Sequence, residues 1–217
     1  MMRDDPMSLA YYAGICTTCL VNPAQPGSPK CAACWPLWTP WPVIVRQPVE
    51  VLLNDAECRE AVEVGRLRHS EAKRLKCKDR HGFGGTDKHG EFLHIEGVAG
   101  EIVVARHVLE LADWVPTVNT FGSKPDMFYR SQAIQIRTRG RNDWDLTVRR
   151  NDRNGHLFVL VTWNAEMRSK PAFRVHGYLS GADAKQSQWL QDYGKRERAY
   201  FVPQSELHPI TALLAAG

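Results

Sequence analysis

Glu101, Asp126, Gln135 and Arg137 are the residues of this chain whose types and order could do chemistry. Val98, Ile102, Val104, Ala105 and Val108 recur at helical spacing over residues 94–109 and set Glu101 among apolar neighbours. A carboxylate placed there needs a partner or a metal. Asp126 follows Pro125 directly, and residues 133–138 alternate like a half-buried strand with Gln135 and Arg137 on one face. Hydrolysis of a phosphodiester needs a metal to polarise the phosphate, an activated water and a positive group for the developing charge, and each has a candidate here. Each residue also has a plainer reading. Glu101 falls on the helix surface if the phase shifts by one position, Asp126 is an ordinary turn residue, and Gln135 and Arg137 suit the solvent side of an edge strand.

A second constellation lies near the start. Cys16-x-x-Cys19 and Cys31-x-x-Cys34 hold four of the six cysteines, and four thiolates at that spacing suit tetrahedral zinc. A disulfide framework is disfavoured, because nothing marks the chain as secreted and a reducing cytosol keeps thiols free. Residues 1–36 are expected to form a zinc-ribbon-like module too small to be stable without its metal. Such a ribbon can contact DNA, contact a partner protein or brace the fold, and the sequence does not choose among these. Trp35, Trp38 and Trp41 then alternate with Pro36, Pro40 and Pro42, a density of proline that excludes helix and central strand. Residues 37–52 therefore read as a linker, whose tryptophans either pack between the parts or offer a stacking surface for bases.

The elements that must position the first constellation fall in residues 53–217. A helix over 54–76, capped by Asn54 or Asp55, carries the basic run Arg66, Arg68, Lys73, Arg74, Lys76, Lys78 and Arg80. The glycine-rich stretch after it, His81 to Gly85, lacks the spacing of a phosphate-cradling loop. Strands are expected over 132–139, 145–149, 157–163, 173–179 and 199–202, with a helix over 182–191. That order predicts an α/β (α+β) domain with a mixed central sheet flanked by helices. Arg66, Arg68, Lys73, Arg74, Arg139 and Arg141 are the candidates for nucleic-acid binding; the alternative is that they are solvated faces. His81, His89 and His94 fit no ligand pattern and read as surface or loop residues, whereas His156 and His176 read as structural.

Glu101, Pro125-Asp126 and Gln135-Ile136-Arg137 resemble the signature of the PD-(D/E)XK, or restriction-endonuclease-like, superfamily. The flanking blocks Gly97-Val-Ala-Gly-Glu-Ile-Val-Val-Ala105, Ile136-Arg-Thr-Arg139, Phe158-Val-Leu-Val161, Phe173-Arg-Val175 and Tyr200-Phe-Val-Pro-Gln204 resemble phage and prophage proteins assigned to that fold. The resemblance covers residues 55–210. It implies Mg²⁺ or Mn²⁺ held by Asp126, the side-chain oxygen of Gln135 and the backbone carbonyl of Ile136, with Glu101 joining directly or through water. It implies a nuclease acting on nucleic acid, with DNA as the expected substrate; the sequence leaves the oligomeric state open, although cutting both strands of a duplex would call for a homodimer. Two positions depart from the pattern. Arg137 replaces the usual lysine and cannot serve as a base, and the neutral amide of Gln135 removes one negative charge from the metal shell. The alternative is thus a catalytically inactive nuclease fold that binds DNA or a host protein, and a third reading is a zinc-stabilised interaction protein. With 217 residues, a formal net charge of +4 and no run of ~20 apolar residues, the chain is expected to be cytoplasmic with no membrane partner.

Overall fold

The structure, a computed structural model, describes residues 47–76, 87–119, 124–163, 172–192 and 197–215. The four cysteines of the expected zinc site, the tryptophan–proline stretch 35–43 and residues 77–86 with the glycine-rich sequence lie outside the described residues.

Strand β1 (Val49–Leu52) leads into helix α1 (Asp55–Arg74) through a capping box. The Asn54 side chain accepts from the backbone N–H of Ala56 and Glu57, and the Glu57 carboxylate accepts from the N–H of Asn54 at 3.0 Å. The buried positions of α1 are Glu57, Ala61, Gly65 and Arg68, a single stripe at helical spacing. This stripe faces helix α2 (Asp87–Ile102), and a Cβ on Gly65 would lie 2.6 Å from the Ile95 Cα. Only a glycine permits so close a crossing. At its end α2 widens into a π-helical turn, Val103–Val108, in which the Leu109 N–H reaches the Val104 carbonyl at 2.9 Å.

Strands β2 (Met127–Tyr129) and β3 (Gln132–Arg139) form a hairpin across Arg130 and Ser131, whose φ values of 48° and 67° are both left-handed. Then come β4 (Leu146–Arg149), β5 (Leu157–Trp163), β6 (Ala172–Ser180), the short helix α3 (Gly181–Ala184), β7 (Leu190–Gln191), β8 (Ala199–Val202) and helix α4 (Ile210–Ala215). A five-stranded sheet has the order β1-β6-β5-β3-β2, and a three-stranded sheet the order β4-β8-β7. The larger sheet is mixed, since β3 and β5 run parallel while its other neighbours are antiparallel.

Strand β5 is buried on both faces. Val159 and Val161 join Val98, Ile102, Val104, Ile134 and Ile136 in a core beneath the helices, and Phe158 and Leu160 join Leu146, Val148, Val202 and Leu207 in a second core under the small sheet. The α+β class and mixed sheet expected from the sequence are present, with three differences in detail. Residues 49–52, assigned to the linker, form the edge strand β1, because Val49 and Val51 pack on the main core. The helix expected over 182–191 stops at Ala184 and gives way to a 3-10 turn at Ser187–Trp189, which seats Trp189 against the second core. Strand β2 and helix α4 were not foreseen. Among the described residues no helix is long and apolar enough to cross a membrane.

Candidate functional site

Asp126 stands just ahead of β2, where the hairpin stops pairing. Its N–H donates to the Ile134 carbonyl at 2.9 Å, and its Oδ2 accepts from the Ile136 N–H at 2.7 Å. The carboxylate thus takes the place of a neighbouring strand on the edge of β3. In an extended strand a residue's N–H and C=O project to the same edge, so the Ile136 carbonyl faces the edge that Asp126 occupies. Among the described residues Oδ1 of Asp126 accepts no hydrogen bond. Burial raises the Asp126 pKa, opposed by the Ile136 N–H and the charges of Arg137 and Arg68, while Asp152 raises it further.

Glu101, two positions before the π-helical turn, is buried and held by a cation from the other helix. Arg68 Nη1 donates to Oε1 at 2.6 Å and Nη2 to Oε2 at 2.8 Å, a bidentate fork between side chains only 4% and 8% exposed. Arg68 Nε donates to the Thr117 carbonyl at 2.7 Å, which fixes the plane of the fork. Burial, aided by the Asp126 charge and opposed by Arg68, pushes the Glu101 carboxyl up to about 7.

Gln135 and Arg137 lie on the other face of β3 from Ile134 and Ile136. Arg137 Nη1 donates to Gln135 Oε1 at 3.2 Å, Nη2 to Asp152 Oδ2 at 2.7 Å and Nε to the Thr147 carbonyl at 3.3 Å. Its guanidinium carbon stands 5.1 Å from the centre of the Phe158 ring. Gln135 Nε2 donates to the Lys124 carbonyl at 2.7 Å. Of the four expected residues, Glu101 thus lies on the helix side of β3, and Gln135 and Arg137 lie on its other face. Asp126 lies at the edge between them, with the charges of both Arg68 and Arg137 acting on its carboxyl.

The donor set suits a hard cation, but sparsely. Among the described residues no three His, Cys, Asp or Glu side chains converge. What remains is one carboxylate oxygen and a backbone carbonyl on an open strand edge, with the Gln135 amide oxygen shared with Arg137. Hard divalent ions accept such oxygen ligands and fill the remaining positions with water. Mg²⁺ or Mn²⁺ would find one free carboxylate oxygen there, Oδ1 of Asp126.

Of the six cations expected to bind nucleic acid, Arg68 must be corrected: it is buried against Glu101 because the Ala61–Gly65 stripe turns it toward α2. Arg66, Lys73 and Arg74 are exposed, Arg66 pairing with Glu91 and Arg74 with Glu71. Arg139 and Arg141 flank the Trp144 ring at 4.7 and 5.9 Å. His89 is exposed on α2, whereas His94 is half-buried beside His69. His156 is buried, and His176 shares a hydrogen bond with Thr162. Sequence reasoning missed Arg68 as the partner of Glu101 and Asp152 as the anchor of Arg137. The first had a signal, since Arg68 continues the stripe of Ala61 and Gly65; the second, a contact between a loop and a strand, had none. Comparison with known proteins brings no match: no family model, no curated protein and no solved structure corresponds to the chain.

Proposed function

We propose that the chain hydrolyses phosphodiester bonds of nucleic acid, with DNA as the substrate, through a restriction-endonuclease-like core that uses one or more divalent metal ions. The observation that carries this reading is the meeting of the Asp126 carboxylate with the Ile136 backbone on the open edge of β3, between the charges of Arg68 and Arg137. Asp126 Oδ1, the Ile136 carbonyl and the Gln135 amide oxygen would hold Mg²⁺ or Mn²⁺, which supplies phosphate polarisation and a more acidic bound water. Arg137, tied to Asp152 and touching Gln135, orients that amide and keeps a permanent positive charge beside the site. A guanidinium does not give up its proton at neutral pH, so Arg137 stabilises charge and takes no proton. The exposed Arg66, Lys73 and Arg74, with Arg139 and Arg141, would hold the phosphate backbone. Cys16, Cys19, Cys31 and Cys34 would hold a structural zinc ion. Cutting both strands of a duplex calls for two copies of the chain.

A second reading, a catalytically inactive relative that binds DNA or a host protein, is favoured by one feature. Glu101, Gln135 and Arg137 all spend their polar atoms on protein partners. The test is cleavage of plasmid, linear DNA, single-stranded DNA and RNA with Mg²⁺, Mn²⁺ or EDTA, beside the Asp126→Asn variant. Asparagine keeps an acceptor for the Ile136 N–H, so folding is retained while the charge is lost. Metal-dependent cutting that drops at least about 100-fold in the variant is expected, the scale on which loss of a principal electrostatic group acts. Salt-sensitive binding with no cutting in any metal would make the inactive relative the correct reading.

A further inference from the structure

The Arg68–Glu101 pair joins two consecutive helices through residues 33 positions apart, and several features of the fold bring it together. The stripe of Ala61 and Gly65 brings α1 onto α2, the close approach at Gly65 lets Arg68 reach across, and the Thr117 carbonyl fixes the guanidinium through Nε. Both carboxylate oxygens meet a donor. A bidentate guanidinium neutralises the charge of a carboxylate and takes its best directions, so Glu101 has little left with which to attract a divalent ion. Breaking such a buried pair leaves an uncompensated charge, so displacing Arg68 by an incoming ion is opposed by the cost of stranding its cation.

We propose that Arg68 is a built-in cation that holds the Glu101 side of the site, leaving the Asp126 edge to a single divalent ion. This rests on the metal-dependent reading above. Arg68 is a positioning residue, and its charge sets how many ions the site accepts. Glu101 acts as the counter-ion of Arg68.

The test is Mn²⁺ stoichiometry on the full-length protein at fixed zinc, by equilibrium dialysis with electron paramagnetic resonance of free Mn²⁺. Wild type should bind one Mn²⁺ per chain. Arg68→Met, similar in length but uncharged, removes the cation that occupies both oxygens of Glu101 and should bind a second ion. The double variant Arg68→Met/Glu101→Gln, which removes both buried charges and so guards against misfolding of the single variant, should return to one ion with affinity within about threefold of wild type. A merely structural salt bridge would not alter the count in this way. Two ions in wild type, an unchanged count in a folded Arg68→Met, or loss of binding beyond tenfold in the double variant would overturn the inference while leaving the nuclease reading in place. No bound ion in wild type, together with no cutting, would sink the metal-dependent reading itself.

Discussion

At the scale of single residues, the carboxylates differ by what stands opposite them. Asp126 is held by a backbone N–H, and removing that acceptor strands a partly buried donor. Asp126→Ala should therefore lose about 1–3 kcal/mol of stability in urea unfolding, whereas Asp126→Asn should lose under about 1 kcal/mol. Equal losses would mean that the hydrogen bond to Ile136 contributes little. Glu96 offers a pH test away from the site. Burial pushes its carboxyl up to about 7, against the Trp163 indole N–H donating to it and the charge of Arg139. Its folded pKa lies above the ~4.3 of an unfolded glutamate, so its stabilising share is complete below ~4.3 and is lost as pH rises through 7. Glu96→Gln keeps an acceptor for Trp163 and carries no charge. The variant should be more stable than wild type at pH 8, on the order of 2 kcal/mol, with the gap closing toward pH 4. A gap that does not change between pH 8 and pH 4 would show that Glu96 titrates normally.

At the scale of elements, the helix pair depends on a position with no side chain. Gly65→Ala gains up to about 1 kcal/mol of helix propensity, but its Cβ would meet backbone of α2 that cannot swing aside. A net loss of about 1–3 kcal/mol, the usual cost of overpacking, is expected in chemical denaturation. A neutral or stabilising Gly65→Ala would show that the helices part easily and that the Arg68 fork tolerates it. The same elements explain what could be read in the sequence. Helix α1 was legible at its start because Asn54 is a strong capping residue just ahead of it, and β3, β5 and β8 were legible because of their apolar runs. The hairpin strand β2 was not. Its turn uses Arg130 and Ser131 at left-handed φ, where Asn-Gly or Asp-Gly would have announced it, and tertiary pairing rather than residue preference holds it there. The wide turn Val103–Val108 was equally silent, since Val103, Val104, Ala105 and Val108 are all buried and fit an α-helical stripe as well. Order along the chain thus gave the candidate residues, but the split of Glu101 and Gln135 to opposite sides of β3 depended on how the hairpin and helix pair meet.

At the scale of the described domain, strand β5 decides whether the two cores act as one. Val159 and Val161 point into the core beneath the helices while Phe158 and Leu160 point into the core under β4 and β8, so loosening either face removes support from the same backbone. The site draws on both sides, since Glu101 hangs from the helix layer and Arg137 is tied to the Thr147 carbonyl of β4 and to Asp152. Ile102→Ala in the first core and Leu146→Ala in the second each delete a fully buried side chain, and each should cost about 2–5 kcal/mol. If β5 couples them, the two layers open together, and native-state hydrogen exchange in β3 and in β8 should rise by similar factors whichever substitution is made. The contrary outcome is specific: Leu146→Ala would speed exchange only in β4, β7 and β8. The small sheet would then be a separately opening unit, and Arg137 would be anchored to a part of the domain that can let go while Asp126 and Glu101 stay in place.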